Sequence, residues 1–68
     1  MNNWQSVYKD EHLHRVEIVK AVLQDHGMNP VVVDQKISAH GLGVLEVRVA
    51  PDFVIRAIKL IKEDIKFE

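Results

Sequence analysis

The chain has 68 residues, 47% of them hydrophobic, and sets nine Lys and Arg against ten Asp and Glu for a net charge of −1. That length predicts a single domain over 1–68, held by close packing or self-association because no cysteine is present to staple it or to bind a metal as thiolate. The even charge argues against general nucleic-acid binding, which needs a basic surface to neutralise phosphates. No apolar run approaches the ~18 residues that span a bilayer, and Met1-Asn2-Asn3-Trp4 lacks the basic and apolar regions of a signal peptide, so the expectation is a cytoplasmic protein with no membrane contact.

Trp4-Gln5-Ser6-Val7-Tyr8 is rich in strand formers. Strict alternation puts Trp4, Ser6 and Tyr8 on one face and Gln5 and Val7 on the other, with apolar groups on both. Asp10 then reads as an N-cap, and Glu11 suits the positive end of a helix. From Glu11 to His26 the apolar residues recur at helical spacing as Leu13, Val16, Val19, Val22 and Leu23, with Ile18 off the stripe. Gly27 predicts a left-handed helix end.

Pro30 opens a second strand, Val31-Val32-Val33-Asp34-Gln35. Three valines in a row imply apolar surroundings on both sheet faces, as in a buried inner strand or one covered by a partner. Ser38-Ala39-His40-Gly41-Leu42-Gly43 reads as a turn in which two glycines supply unusual backbone angles. Val44 to Val49 alternates cleanly, with Leu45, Val47 and Val49 on one side and Glu46 and Arg48 on the other. These two strands form a hairpin. Pro51 and Asp52 start a second helix whose stripe is Phe53, Val54, Ala57, Ile58 and Ile61, with Ile55 and Leu60 off it. Ile65-Lys66-Phe67-Glu68 alternates and predicts a short last strand. The order strand, helix, strand, strand, helix, strand predicts an α+β fold. It is a ferredoxin-like βαββαβ sandwich with a four-stranded antiparallel sheet and two helices on one face.

Trp4 with Val7-Tyr8, the helix end Leu23-Gln24-Asp25-His26-Gly27-Met28, the strand Pro30-Val31-Val32-Val33-Asp34, and Leu45-Glu46-Val47-Arg48-Val49 leading into Asp52 and Ala57 carry a resemblance. Over nearly its whole length the chain resembles a family of small bacterial signal-transducing domains of unassigned function, placed by fold near the nitrogen-regulatory PII proteins. The resemblance implies a regulatory role and brings no reaction, ligand or catalytic residue with it. PII proteins contact partners through a long loop between the second and third strands and bind nucleotides between subunits. Here that connection is only about Ser38 to Gly43.

Four histidines invite a search for chemistry. His12 and His14 are two apart, so on a helix they point about 200° away from each other and do not chelate one ion. Asp10, Glu11 and His14 would converge only if the first turn is irregular, and a metal site needs three or four ligands, so none is expected. His26 is placed to meet the terminal carbonyls of its helix. His40 sits in the glycine-bearing loop, where a general base or a ligand contact would be at home, with only Asp34 able to approach it. Gly41-Leu42-Gly43 precedes a strand, not a helix, and lacks the spacing of a phosphate loop. Trp4 and Tyr8 do not match the paired-strand aromatics of RNA-binding modules.

No nucleophile, base and oxyanion set can be assembled, so the expectation is a non-enzymatic regulatory domain without a cofactor. It presents its sheet face and the 38–43 loop to a protein partner or to a second copy, with Trp4, Tyr8 and Val32 as self-association residues. The alternative is a sensor of a nucleotide or other metabolite in a subunit cleft, touched by Lys36, His40, Gly41, Gly43 and Arg48.

Overall fold

The computed structural model describes residues 3–37 and 42–65. In chain order they form β1 (Gln5–Asp10), α1 (Leu13–Asp25), β2 (Val31–Ile37), β3 (Leu42–Val49), a 3₁₀ turn (Pro51–Phe53) and α2 (Val54–Asp64). The fold is α+β, with two helices and a three-stranded antiparallel sheet in the order β1-β3-β2. No described helix is long and apolar enough to cross a membrane. The expected last strand, Ile65–Glu68, lies outside the described residues except for Ile65, which follows α2 without joining the sheet.

β3 is the central strand, and its alternation sorts the two sheet faces. Val47 and Val49 are fully buried against Val16, Val19 and Leu23 of α1, Ala57 of α2, and Met28. Burying side chains of this size contributes about 1.5–3 kcal/mol each, so these contacts dominate the stability of so small a unit. Cross-strand partners share a face, which assigns the remaining strand residues. Val32 pairs with Val47 and lies toward the helices, whereas Val31 and Val33 pair with Arg48 and Glu46 on the far face.

β2 is an edge strand among the described residues, paired with β3 alone, not the inner strand that its three valines suggested. Its β-branched run suits a pleated surface whichever position the strand takes, so composition alone did not place it. The hairpin is longer than its sequence implied, and Gly43 lies within β3 opposite Lys36 instead of in the turn.

A bulge corrects the face assignment in β1. Ser6 pairs with Arg48 and Tyr8 with Val47, which leaves Val7 as the extra residue. Val7 and Tyr8 therefore both pack on the helix-side core. Period-two alternation, which separates them, fails at an inserted residue.

Asp10 closes β1 and does not cap α1, which starts three residues later with His12 at the N-cap and no side-chain cap bond. Leu13, now in the first turn, is 59% exposed. Glu11 precedes the helix and no acidic residue lies in its first turn. At the other end, Gly27 takes φ +78°. Its N–H donates to Gln24 O at 2.9 Å and that of Met28 to Leu23 O at 3.1 Å. This is a Schellman closure, with Met28 and Leu23 both buried beneath it. Asn29 is also left-handed, at φ 48°, a conformation asparagine accepts better than most residues.

In α2 only Ala57 is fully buried. Ile58, on the stripe that the helical spacing predicts for the core, is exposed, and Leu60, off that stripe, packs on the core.

Candidate functional site

Two places in the fold gather polar side chains. The first is the sheet face turned away from the helices. Ser6 and Lys9 of β1, Val44, Glu46 and Arg48 of β3, and Val31 and Val33 of β2 stand there, as their register requires. Glu46 is the centre: its side chain is only 7% exposed, and Arg48 Nε donates to its Oε1 at 2.9 Å. Lys9 Nζ approaches its Oε2 at 3.9 Å from the neighbouring strand. A carboxylate so withdrawn from water needs its cations, since removing the partner of a buried charge is strongly destabilising. Half-buried Val31, Val33 and Val44 lie around the group. Ser6 Oγ is buried with no hydrogen-bond partner among the described residues.

The second is the junction between β1 and α1. Asp10 is 11% exposed, and both its oxygens are engaged. The Tyr8 hydroxyl donates to Oδ2 at 2.5 Å. The His12 backbone N–H and ring Nδ1 both donate to Oδ1 at 2.9 Å. Arg15 Nη1 lies 3.8 Å from Oδ2. The Tyr8 hydroxyl, then the backbone and ring donors of His12, hold the Asp10 carboxyl well below the usual carboxylate range. Burial first, then the hydrogen bond to Asp10 and its negative charge, push the Tyr8 phenol up to about 12. An ionised carboxylate only accepts, so Nδ1 of His12 carries the proton and Nε2 is left without one in the neutral ring.

Of the residues expected at a ligand cleft, the described ones divide: Lys36 and Gly43 meet, and Arg48 stands apart from them. Lys36 and Gly43 pair with each other at the hairpin end of the sheet. Arg48 pairs with Val31, five residues along β3 from Gly43, or about 17 Å at the usual rise of a strand. Its guanidinium is joined to Glu46. His40 and Gly41 lie outside the described residues.

Of the expected self-association residues, Tyr8 and Val32 pack against the helix-side core, and Trp4 is half-buried just before β1. Tyr8 and Val32 therefore lie on the helix side of the sheet and not on its open face. The cause is the bulge for Tyr8 and the register with Val47 for Val32. Asp10, Glu11 and His14 do not converge, and among the described residues no three His, Cys, Asp or Glu side chains gather as metal ligands. His26 Nδ1 donates to Val22 O at 2.9 Å, as its place at the helix end implied.

Sequence reasoning missed the Asp10–His12 pair because it took Asp10 for a helix cap. The signal was present in Asp10-Glu11-His12 at the end of a strand, where an aspartate commonly accepts from the backbone N–H two residues on. Comparison with family models, curated proteins and solved structures finds no significant match to this chain.

Proposed function

We propose that the chain is a non-enzymatic, signal-transducing interaction domain that docks a protein partner on its open sheet face and the adjoining 38–43 loop. The observation that carries this reading is the composition of that face. Three half-buried valines, 31, 33 and 44, surround a Glu46 whose charge is already matched by Arg48 and Lys9. A surface with aliphatic groups and internally neutralised charge loses little by being desolvated against a partner. The face extends onto β2, an edge strand whose outer backbone groups have no strand partner among the described residues. The resemblance to small regulatory domains of PII-like fold points the same way.

The reading includes a ferredoxin-like completion of the sheet, with Ile65–Glu68 as a fourth strand along the outer edge of β1. Two features support it. That edge has no partner among the described residues, and α2, which leads into Ile65, packs chiefly on β1.

A second copy is the first partner to test. Sedimentation equilibrium across a wide dilution series is expected to show self-association of the wild-type chain and a monomer for Val33→Lys. The new lysine would stand across from Glu46, so the monomer tolerates it while an apolar contact does not. A wild-type chain that remains monomeric at every concentration removes the second copy as the partner.

A further inference from the structure

We propose that His12 is a phosphoryl-acceptor site, at which Nε2 takes a phosphoryl group from a donor of the N–P class, such as a phosphoramidate or the phosphoimidazole of another protein. The inference is independent of partner docking on the open sheet face.

It starts from the bond between Asp10 Oδ1 and His12 Nδ1, at 2.9 Å. The turn that joins β1 to α1 needs only the His12 backbone N–H on that oxygen. The ring bond is additional, and it fixes both the tautomer and the direction of the imidazole. Nδ1 is held inward, and Nε2, across the ring, points away from Asp10. The His12 side chain is 57% exposed, so a donor can reach it. A nucleophile whose ring is oriented by a third group is the arrangement that activates histidine elsewhere.

The step balances without a redox partner. The donor enters with its leaving group already protonated. The Nε2 lone pair attacks phosphorus, the N–P bond breaks, and its electron pair stays on the donor nitrogen. That nitrogen departs neutral, as ammonia from zwitterionic phosphoramidate. Nδ1 keeps its proton, so the ring becomes a cation beside Asp10. That carboxylate is ready to receive it, because Tyr8 and the His12 backbone keep it ionised.

A phosphoryl group also fits the surroundings better than an acyl group. Either would leave a ring cation against Asp10. The phosphoryl dianion alone gains from the positive end of α1, for which His12 is the N-cap residue.

His26 is a built-in control. Its Nδ1 also donates, so it shares the tautomer of His12, but its acceptor is the neutral carbonyl of Val22. His14 has no ring hydrogen bond among the described residues. The full-length chain would be incubated with potassium phosphoramidate, and labelling of each histidine followed by fragmentation mass spectrometry. Nitrogen–phosphorus correlation NMR would identify the substituted ring atom.

His12 is expected to label at Nε2 at least about tenfold faster than His26 or His14, the lower end of the roughly 10–100-fold effect that hydrogen-bond partners of metal-bound histidines have on affinity or activity. Asp10→Asn keeps an oxygen acceptor and removes the charge, and it should bring His12 down to the rate of His26. Asp10 is a positioning residue here, and the choice of Nε2 over Nδ1 is a readout that a purely structural role would not move. Equal labelling of His12 and His26 in the wild-type chain, or substitution at Nδ1, overturns the proposal.

Discussion

The two helices cover the same sheet, yet they are held very differently. α1 buries Val16, Val19 and Leu23 completely, and both of its ends are fastened: Asp10 binds the backbone and ring of His12, and Gly27 closes the last turn. α2 buries only Ala57 completely, leaves Ile55 83% exposed, and enters from a 3₁₀ turn. Nevertheless α2 has the sharper separation of apolar and polar sides in its sequence. The difference is therefore not one of amphipathic pattern. It comes from what lies underneath: α1 rests on all three strands, and α2 chiefly on β1 at the sheet's edge. A helix buries as much of its stripe as its neighbours can cover.

The sharpest way to break this comparison is to truncate one leucine in each helix. Leu23→Ala removes a fully buried side chain that packs under the Gly27 closure, and should cost about 3 kcal/mol, within the usual range for buried leucine. A chain of this length is expected to have only about 3–10 kcal/mol of stability in all, so urea unfolding should show a large drop in midpoint. Leu60→Ala, at a partly buried position in α2, should cost roughly half as much. Equal losses would mean that α2 is covered as fully as α1 in solution.

The same contrast explains which parts of the fold could be read from sequence. Val16, Val19 and Leu23 followed from helical spacing, and Gly27 from its place after a periodic run, because each of these signals is local. The Leu45–Val49 alternation correctly sorted the faces of β3 for the same reason. The failures are tertiary. Val7 and Tyr8 share a side only because Ser6 and Tyr8 are fixed by their partners on β3. Ile58 and Leu60 exchange roles because the axial rotation of α2 is set by β1, not by its own stripe. The candidate site divides the same way. That Glu46 and Arg48 share the face opposite Leu45, Val47 and Val49 was legible, and their bond to each other was not. The separation of Arg48 from Gly43 depends on where β3 begins, which puts both on one extended strand, and the Asp10–His12 bond depends on where β1 ends.

Acid offers a second, smaller test, directed at the fastened start of α1. The unfolded Asp10 carboxyl takes up a proton near its ordinary pKa of about 3.9, while the folded one stays ionised to lower pH. Below that point the unfolded state binds more protons, so this contribution to stability is present above about pH 4 and is lost as the pH falls further. Asp10→Asn should therefore flatten the acid limb of the stability profile, measured by urea midpoints, and leave its slope near neutral pH unchanged. An identical acid limb in wild type and variant would show that Asp10 gains nothing from Tyr8 and His12 on folding. Tyr8 gives the mirror image in alkali, where stability should decline as the pH rises from about 10, where the unfolded phenol ionises, toward about 12.

The smallest effect is expected at Ile55. Its side chain faces solvent, so Ile55→Lys removes no packing within the chain. Lysine is also the slightly better helix former, and the change in unfolding free energy should stay within about 0.5 kcal/mol. The value of the substitution lies in that near-zero expectation. If Ile55→Lys lowers stability by more than about 1 kcal/mol, and the loss grows with protein concentration, then the outer side of α2 is buried by association. The contrast between the helices would then belong to the isolated chain and not to its assembled state. A loss that does not depend on concentration would instead place Ile55 against the chain's own residues, and α2 would be rotated from the orientation described here.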